Sequence, residues 1–120
     1  MPGIMSKSFD SPDETRTPDK TRVEVLDLGG TKAARFRFEP GWRWSECLKP
    51  VVGTDSCQAR HVGAVVSGHL RVQHADGTEV EVGPGDAYII EPGHDAWVVG
   101  DEPWTSFEFE TTTAATYAMP

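Results

Sequence analysis

Apolar and polar residues alternate with period two through much of the chain, the pattern of strands with one buried face. The clearest run is Leu70 to Val82, where Leu70 and Val72 point one way and Arg71 and Gln73 the other. Asp76-Gly77 interrupts it with the signal of a two-residue type I′ hairpin, whose central positions favour positive φ. Beyond the turn, Val80 and Val82 alternate with Glu79 and Glu81. Gly83-Pro84-Gly85-Asp86 predicts a second tight turn. Ala87 to Ile90 predicts a short strand stopped by Pro92-Gly93. Upstream, Val23 to Leu28 reads as an edge strand before a Gly29-Gly30 turn. Ala34 to Glu39 sets Phe36 and Phe38 against Arg35 and Arg37. Trp42 and Trp44 continue this pattern on one face, as core packing or as the wall of a pocket. Downstream, Trp104 to Glu110 puts Trp104, Ser106, Glu108 and Glu110 on one face and Thr105, Phe107 and Phe109 on the other.

Two ends stand outside this pattern. Residues 1–21 are polar with scattered Pro and Ser, and are expected to form a disordered tail. Residues 22–120 are then a single domain, in keeping with a chain of 120 residues. The closing TTTAATYAMP gives no helix signal. Nine Pro and twelve Gly, with few helix-period runs, favour an all-β fold.

The turns of this chain resemble those of the cupins, small double-stranded β-helix barrels of the jelly-roll type. The resemblance rests on GDAYIIEPG at residues 85–93, one residue off the usual corner spacing, and on Gly68 in VVSGHL at the end of the first motif. It covers roughly residues 34–111 and implies a cupin-like barrel. The usual ligand set is rearranged. The first motif's Glu position falls on His61, its two His positions on Asp55 and Cys57, and the second motif's His position on Ala96, with His94 the nearest imidazole. The resemblance implies a metal-dependent enzyme of oxygenase, isomerase or lyase type acting on a small organic molecule. Its one divalent transition metal (Fe, Zn, Ni or Mn) would be held by His61, His94 and Cys57, with Asp55 as an alternative third ligand. It also implies a homodimer, with edge strands such as 23–28 or 104–110 pairing across a two-fold axis.

Each candidate has a plainer reading. His61 is a ligand or a buried neutral imidazole hydrogen-bonded to a carbonyl or tyrosine. His94 is a ligand whose tautomer Asp95 holds, or a turn residue capped by its neighbour. Cys57 lies four residues before His61, about 13 Å in a straight strand at ~3.3 Å per residue, so a shared ion needs a bend near Ala59. The same separation argues against a direct thiolate–imidazole pair. His69 and His74, on the hairpin, are expected to be exposed and inert. Without a metal, the barrel is a small-molecule-binding or sensor module, its ligand held against Trp42, Trp44, Phe36 and Tyr88.

Charge and composition narrow the partners. The first 22 residues carry as many bases as acids, so the whole excess of −8 lies in the rest of the chain. An acidic surface without a basic patch repels phosphate backbones and excludes nucleic acid as the expected partner. No apolar run approaches 18 residues, so no membrane-spanning helix is expected. MPGIMSKSFD lacks an apolar signal core, which makes the cytoplasm the expected compartment. In that compartment Cys47 and Cys57 are expected to stay unpaired.

Overall fold

The computed structural model describes residues 3–120. Among the described residues, nine strands form two antiparallel sheets. They are β1 (Glu14–Arg16), β2 (Thr21–Asp27), β3 (Lys32–Phe38), β4 (His61–Ser67), β5 (His69–His74), β6 (Glu79–Val82), β7 (Ala87–Ile90), β8 (His94–Val99) and β9 (Trp104–Glu108). The larger sheet runs β1-β2-β3-β9-β4-β7 and the smaller β6-β5-β8. One buried cluster joins them: Val25, Phe36 and Trp104 from the first sheet pack with Leu70, Val72 and Val98 from the second. The inward residues are those the alternation placed on the apolar faces, because successive side chains on a strand point to opposite faces.

The hairpin between β5 and β6 is closed by His74 N–H donating to Thr78 O at 2.8 Å, around a three-residue loop. Gly77 has φ +96° and is the only residue of the loop in the left-handed region. The expected two-residue type I′ turn is therefore replaced by a longer one with glycine at its left-handed position.

Three short helices depart from the all-strand expectation: α1 (Trp44–Cys47), α2 (Lys49–Val52) and α3 (Thr111–Thr116). The Trp42–Glu46 segment does not continue as a strand. After Arg43, which is still extended and bridges to Trp97, the chain coils and buries Trp44 and Cys47. Trp42 is core: its indole N–H donates to Thr21 Oγ1 at 2.9 Å and its ring stacks on Phe38 at 3.8 Å.

Residues 14–21 correct the disordered-tail boundary. Glu14–Arg16 pairs antiparallel with Val23–Val25, and Thr21 already belongs to β2. Arg16 explains why this polar segment orders. Its guanidinium is buried and donates to the carbonyls of Ala114, Ala115 and Tyr117, at 3.1, 2.7 and 2.8 Å. Those are carbonyls that the end of α3 leaves without helical partners. The strands expected at edges are also interior. β1 covers β2, and β9 lies between β3 and β4. Among the described residues, no helix is long and apolar enough to cross a membrane.

Candidate metal centre

Cys57, His61 and His94 meet inside the molecule. One ligand atom from each lies within 4.8 Å of the others, and all three residues are buried. The expected straight strand from Cys57 does not form, since β4 begins only at His61. Cys57 instead makes an isolated antiparallel bridge with His94, through Cys57 N–H to His94 O at 2.8 Å and His94 N–H to Cys57 O at 3.3 Å. Directly opposed residues in such a pair put their side chains on the same face. Residues 58–60 carry no regular structure, and Cys57 Sγ comes within 3.7 Å of His61 Nε2. The bend near Ala59 that a shared site required is present, and the separation that argued against a thiolate–imidazole contact is gone.

Each imidazole is held from behind. His61 Nδ1 lies 2.7 Å from Glu108 Oε1, and His94 Nδ1 lies 2.8 Å from the carbonyl of Glu91. With acceptors at both Nδ1 atoms, each Nδ1 carries a proton and donates it backward, so that once any proton on Nε2 is displaced each Nε2 can offer its lone pair to the shared space. That is the tautomer a metal requires. The role expected of Asp95 falls to Glu91 O, because Asp95 Oδ1 accepts from Ser45 N–H at 3.1 Å and Oδ2 pairs with Arg43. Asp55 is fully exposed and lies 3.8 Å from Lys49, so it takes no part.

Glu108 is the residue that sequence reasoning missed. It is 2 % exposed and also accepts the Tyr88 hydroxyl at 2.7 Å. The register explains the arrangement. Gly63 of β4 opposes Glu108 on one side and Tyr88 on the other. A Cβ on Gly63 would stand 2.8 Å from Glu108 Cγ and 3.0 Å from the Tyr88 hydroxyl. Glycine leaves the space in which the two side chains join across the strand. His61, two residues earlier, shares that face. The available signal was a carboxylate on the same face as Trp104 and Ser106.

Burial opposes a charged sulfur at Cys57, but the two imidazoles outweigh it and hold the thiol at about 6. Burial likewise opposes a charged His61, but the Glu108 carboxylate and the Cys57 sulfur outweigh it and raise the imidazole to about 10. Burial, with the Glu108 charge beside it, pushes the Tyr88 phenol well above the usual range. Without an ion, the row is a thiolate, an imidazolium and a carboxylate; an ion takes the place of the proton on Nε2.

Of the residues expected to hold a ligand, Phe36, Trp42 and Trp44 line an interior cavity of about 20 Å³, together with His61 and His94. That is room for about one water. Tyr88 lies elsewhere, lining an open groove between β6 and β7. Tyr117, unremarked in the sequence, closes the cavity: its ring stacks on Phe36 at 4.8 Å and meets His61 edge-on at 5.3 Å. His69 is exposed. His74 is half-buried, and its Nε2 donates to Pro92 O at 2.9 Å, buttressing the corner before His94. Cys47 and Cys57 are both free thiols.

No family model and no curated protein matches this sequence. Solved structures do. A sugar phosphate isomerase from a cupin superfamily of Silicibacter pomeroyi is 21 % identical with a TM-score of 0.60, over 87 % of this chain and 73 % of that one. KdgF from a Halomonas species is 18 % identical with a TM-score of 0.58, over 89 % and 91 %. A Klebsiella pneumoniae protein with a double-stranded β-helix domain is 20 % identical with a TM-score of 0.55, over 88 % and 83 %. The chain therefore has the cupin-like, double-stranded β-helix fold, and it carries a buried Cys57/His61/His94 group able to hold a metal ion.

Proposed function

We propose that this protein binds one first-row transition metal through Cys57 Sγ, His61 Nε2 and His94 Nε2, and acts on a small organic molecule beside it. The observation that carries the reading is the pair of imidazoles whose Nδ1 atoms already have acceptors while Nε2 and Sγ converge. The donor set fits. A tetrahedral Zn²⁺, with Zn–S ~2.3 Å and Zn–N ~2.1 Å, separates its sulfur and nitrogen ligands by about 3.6 Å. The distance of 3.7 Å between Cys57 Sγ and His61 Nε2 already matches it. One thiolate and two imidazoles favour Zn, Fe or Ni over Mn, Mg or Ca. Such an ion supplies Lewis acidity and, with three protein ligands, an open position. The chain's own groups do the rest: Glu108 and the Glu91 carbonyl aim the rings, and Phe36, Trp44 and Tyr117 keep bulk water out.

Metal analysis of protein purified without chelator tests this, followed by Co²⁺ substitution. The expected results are about one ion per chain and a sulfur-to-cobalt charge-transfer band that Cys57→Ser abolishes. A wild-type protein that takes up none of Fe, Ni, Zn or Co overturns the reading.

One observation favours a second reading. Cys57 Sγ, His61 and Glu108 form a nucleophile–base–carboxylate row, with contacts of 3.7 and 2.7 Å. Rapid alkylation of Cys57 by iodoacetamide at neutral pH, in a protein that binds no metal, supports it. A metal that protects Cys57 from alkylation supports the first reading.

A further inference from the structure

We infer that the ligand of this site is a neutral, largely aromatic molecule, and that it sits outside the barrel in the groove between the α2 loop and the C-terminal segment. This rests on the site proposed above but is read from different residues. The interior cavity has room for about one water, so no organic molecule fits beside His61 and His94 from within. On the other side of the site lies a groove of about 390 Å³ between the α2 loop and the C-terminal segment. That is within the ordinary size of a small-molecule pocket. Cys57, itself buried, belongs to the wall of this groove, and Trp44 and Tyr117 line both it and the interior cavity. The two rings are therefore the partition between them.

The charge of the groove sets the ligand class. No Lys, Arg, Asp or Glu side chain lines it. Its polar side chains are Thr54, Gln58 and Thr116, and the rest of the wall is aromatic or aliphatic. An anion placed there would lose its hydration with no guanidinium or ammonium to replace it. The chain's net charge of −8 repels anions further. A cation would find no carboxylate side chain, and the terminal carboxylate of Pro120 is exposed to water. The competing groove between β6 and β7 is different in kind, with His74, Asp76 and Glu91 on its walls.

The test compares three probes that share one ring and differ in charge: benzyl alcohol, benzoate and phenyl phosphate, titrated by calorimetry or ligand-observed NMR. Benzyl alcohol is expected to bind wild-type protein at least about ten-fold more tightly than either anion. Ala59→Trp, which fills the groove, is expected to abolish binding, whereas Thr78→Trp in the other groove leaves it unchanged. Gln58→Arg, at an exposed position, is expected to raise benzoate affinity several-fold, and its benign location keeps the test valid if Ala59→Trp fails to fold. Benzoate or phenyl phosphate binding as tightly as benzyl alcohol overturns the inference. So does benzyl alcohol binding that Ala59→Trp leaves intact, or the absence of any probe binding at millimolar concentration. Metal content is scored on the same samples, so a protein that holds metal but ranks the probes otherwise fails only here.

Discussion

Glu108 joins the two halves of the site, since one carboxylate oxygen holds His61 and the other holds Tyr88. A partner behind a ligating imidazole fixes its tautomer and orientation, and loss of such a partner weakens metal affinity by about 10–100-fold. Glu108→Gln preserves shape but removes the charge and one acceptor, so Zn²⁺ affinity measured by competition with a chromophoric chelator should fall within that range. An unchanged affinity would mean that Glu108 serves packing alone. Gly63 controls the same junction by having no side chain. Its missing Cβ would also lie 2.3 Å from the Phe107 carbonyl, which backbone pairing holds in place. Gly63→Ala must therefore shift β9 or displace Glu108, and a destabilisation of about 1–3 kcal/mol by denaturant titration is expected. Metal affinity should fall with it, because the group that moves is the one behind His61.

Among the elements, β1 and α3 depend on each other. Arg16 is the link, a buried guanidinium shared by three carbonyls at the end of α3. Hydrogen bonds to charged groups contribute roughly 1.5–3 kcal/mol, so Arg16→Ala should lower unfolding free energy by about 2–4 kcal/mol. It should also loosen Tyr117, whose carbonyl is among those held, and speed metal removal by chelator. A variant as stable as wild type would show that β1 is dispensable. The neighbouring pair, Glu24 of β2 opposite Arg35 of β3, makes stability depend on pH. Burial raises the Glu24 carboxyl, but bonds from Arg35 and Arg22 outweigh it and hold it below its usual 4.5. A carboxyl lowered in the folded state adds stability above that value, which is lost as pH falls through the folded-state one. Wild type should therefore exceed Glu24→Gln by about 1–2 kcal/mol near neutral pH, with the gap closing below pH ~4.5. A gap constant with pH would exclude the ion pairs as its source. These elements also show what the sequence makes legible. Alternation and turn chemistry are local, so β2, β3, β5, β6, β7 and β9 could be read from residues such as Val23 and Leu70 or the Gly83-Pro84-Gly85 turn. α3 could not, because its threonines are weak helix formers and Arg16, some hundred residues away, supplies its end. β1 was hidden for the same reason. At the site, Cys57, His61 and His94 were legible as candidates. Their convergence was not, since it depends on the Cys57–His94 bridge and on a carboxylate from another strand.

At the scale of the molecule, the Cys57/His61/His94 group brings together side chains from both sheets and from a loop. Cys57 lies in a loop and belongs to neither sheet, His61 opens β4 in the larger sheet, and His94 opens β8 in the smaller. An ion bound to all three spans both sheets and the loop, and the unfolded chain offers no such preformed site. Binding to the folded state alone stabilises by about 2.7 kcal/mol when free metal is 100-fold above its dissociation constant. For a domain of this size that corresponds to a rise in Tm of roughly 10 °C. The rise should grow with the logarithm of metal concentration and should vanish in the His61→Ala, His94→Ala double variant. Cys57→Ser should retain only part of it, since a hydroxyl is a poorer ligand than a thiolate for the ions this site favours. An equal rise in the double variant would place the ion elsewhere, on the acidic surface, and would remove the metal from the space between the two sheets.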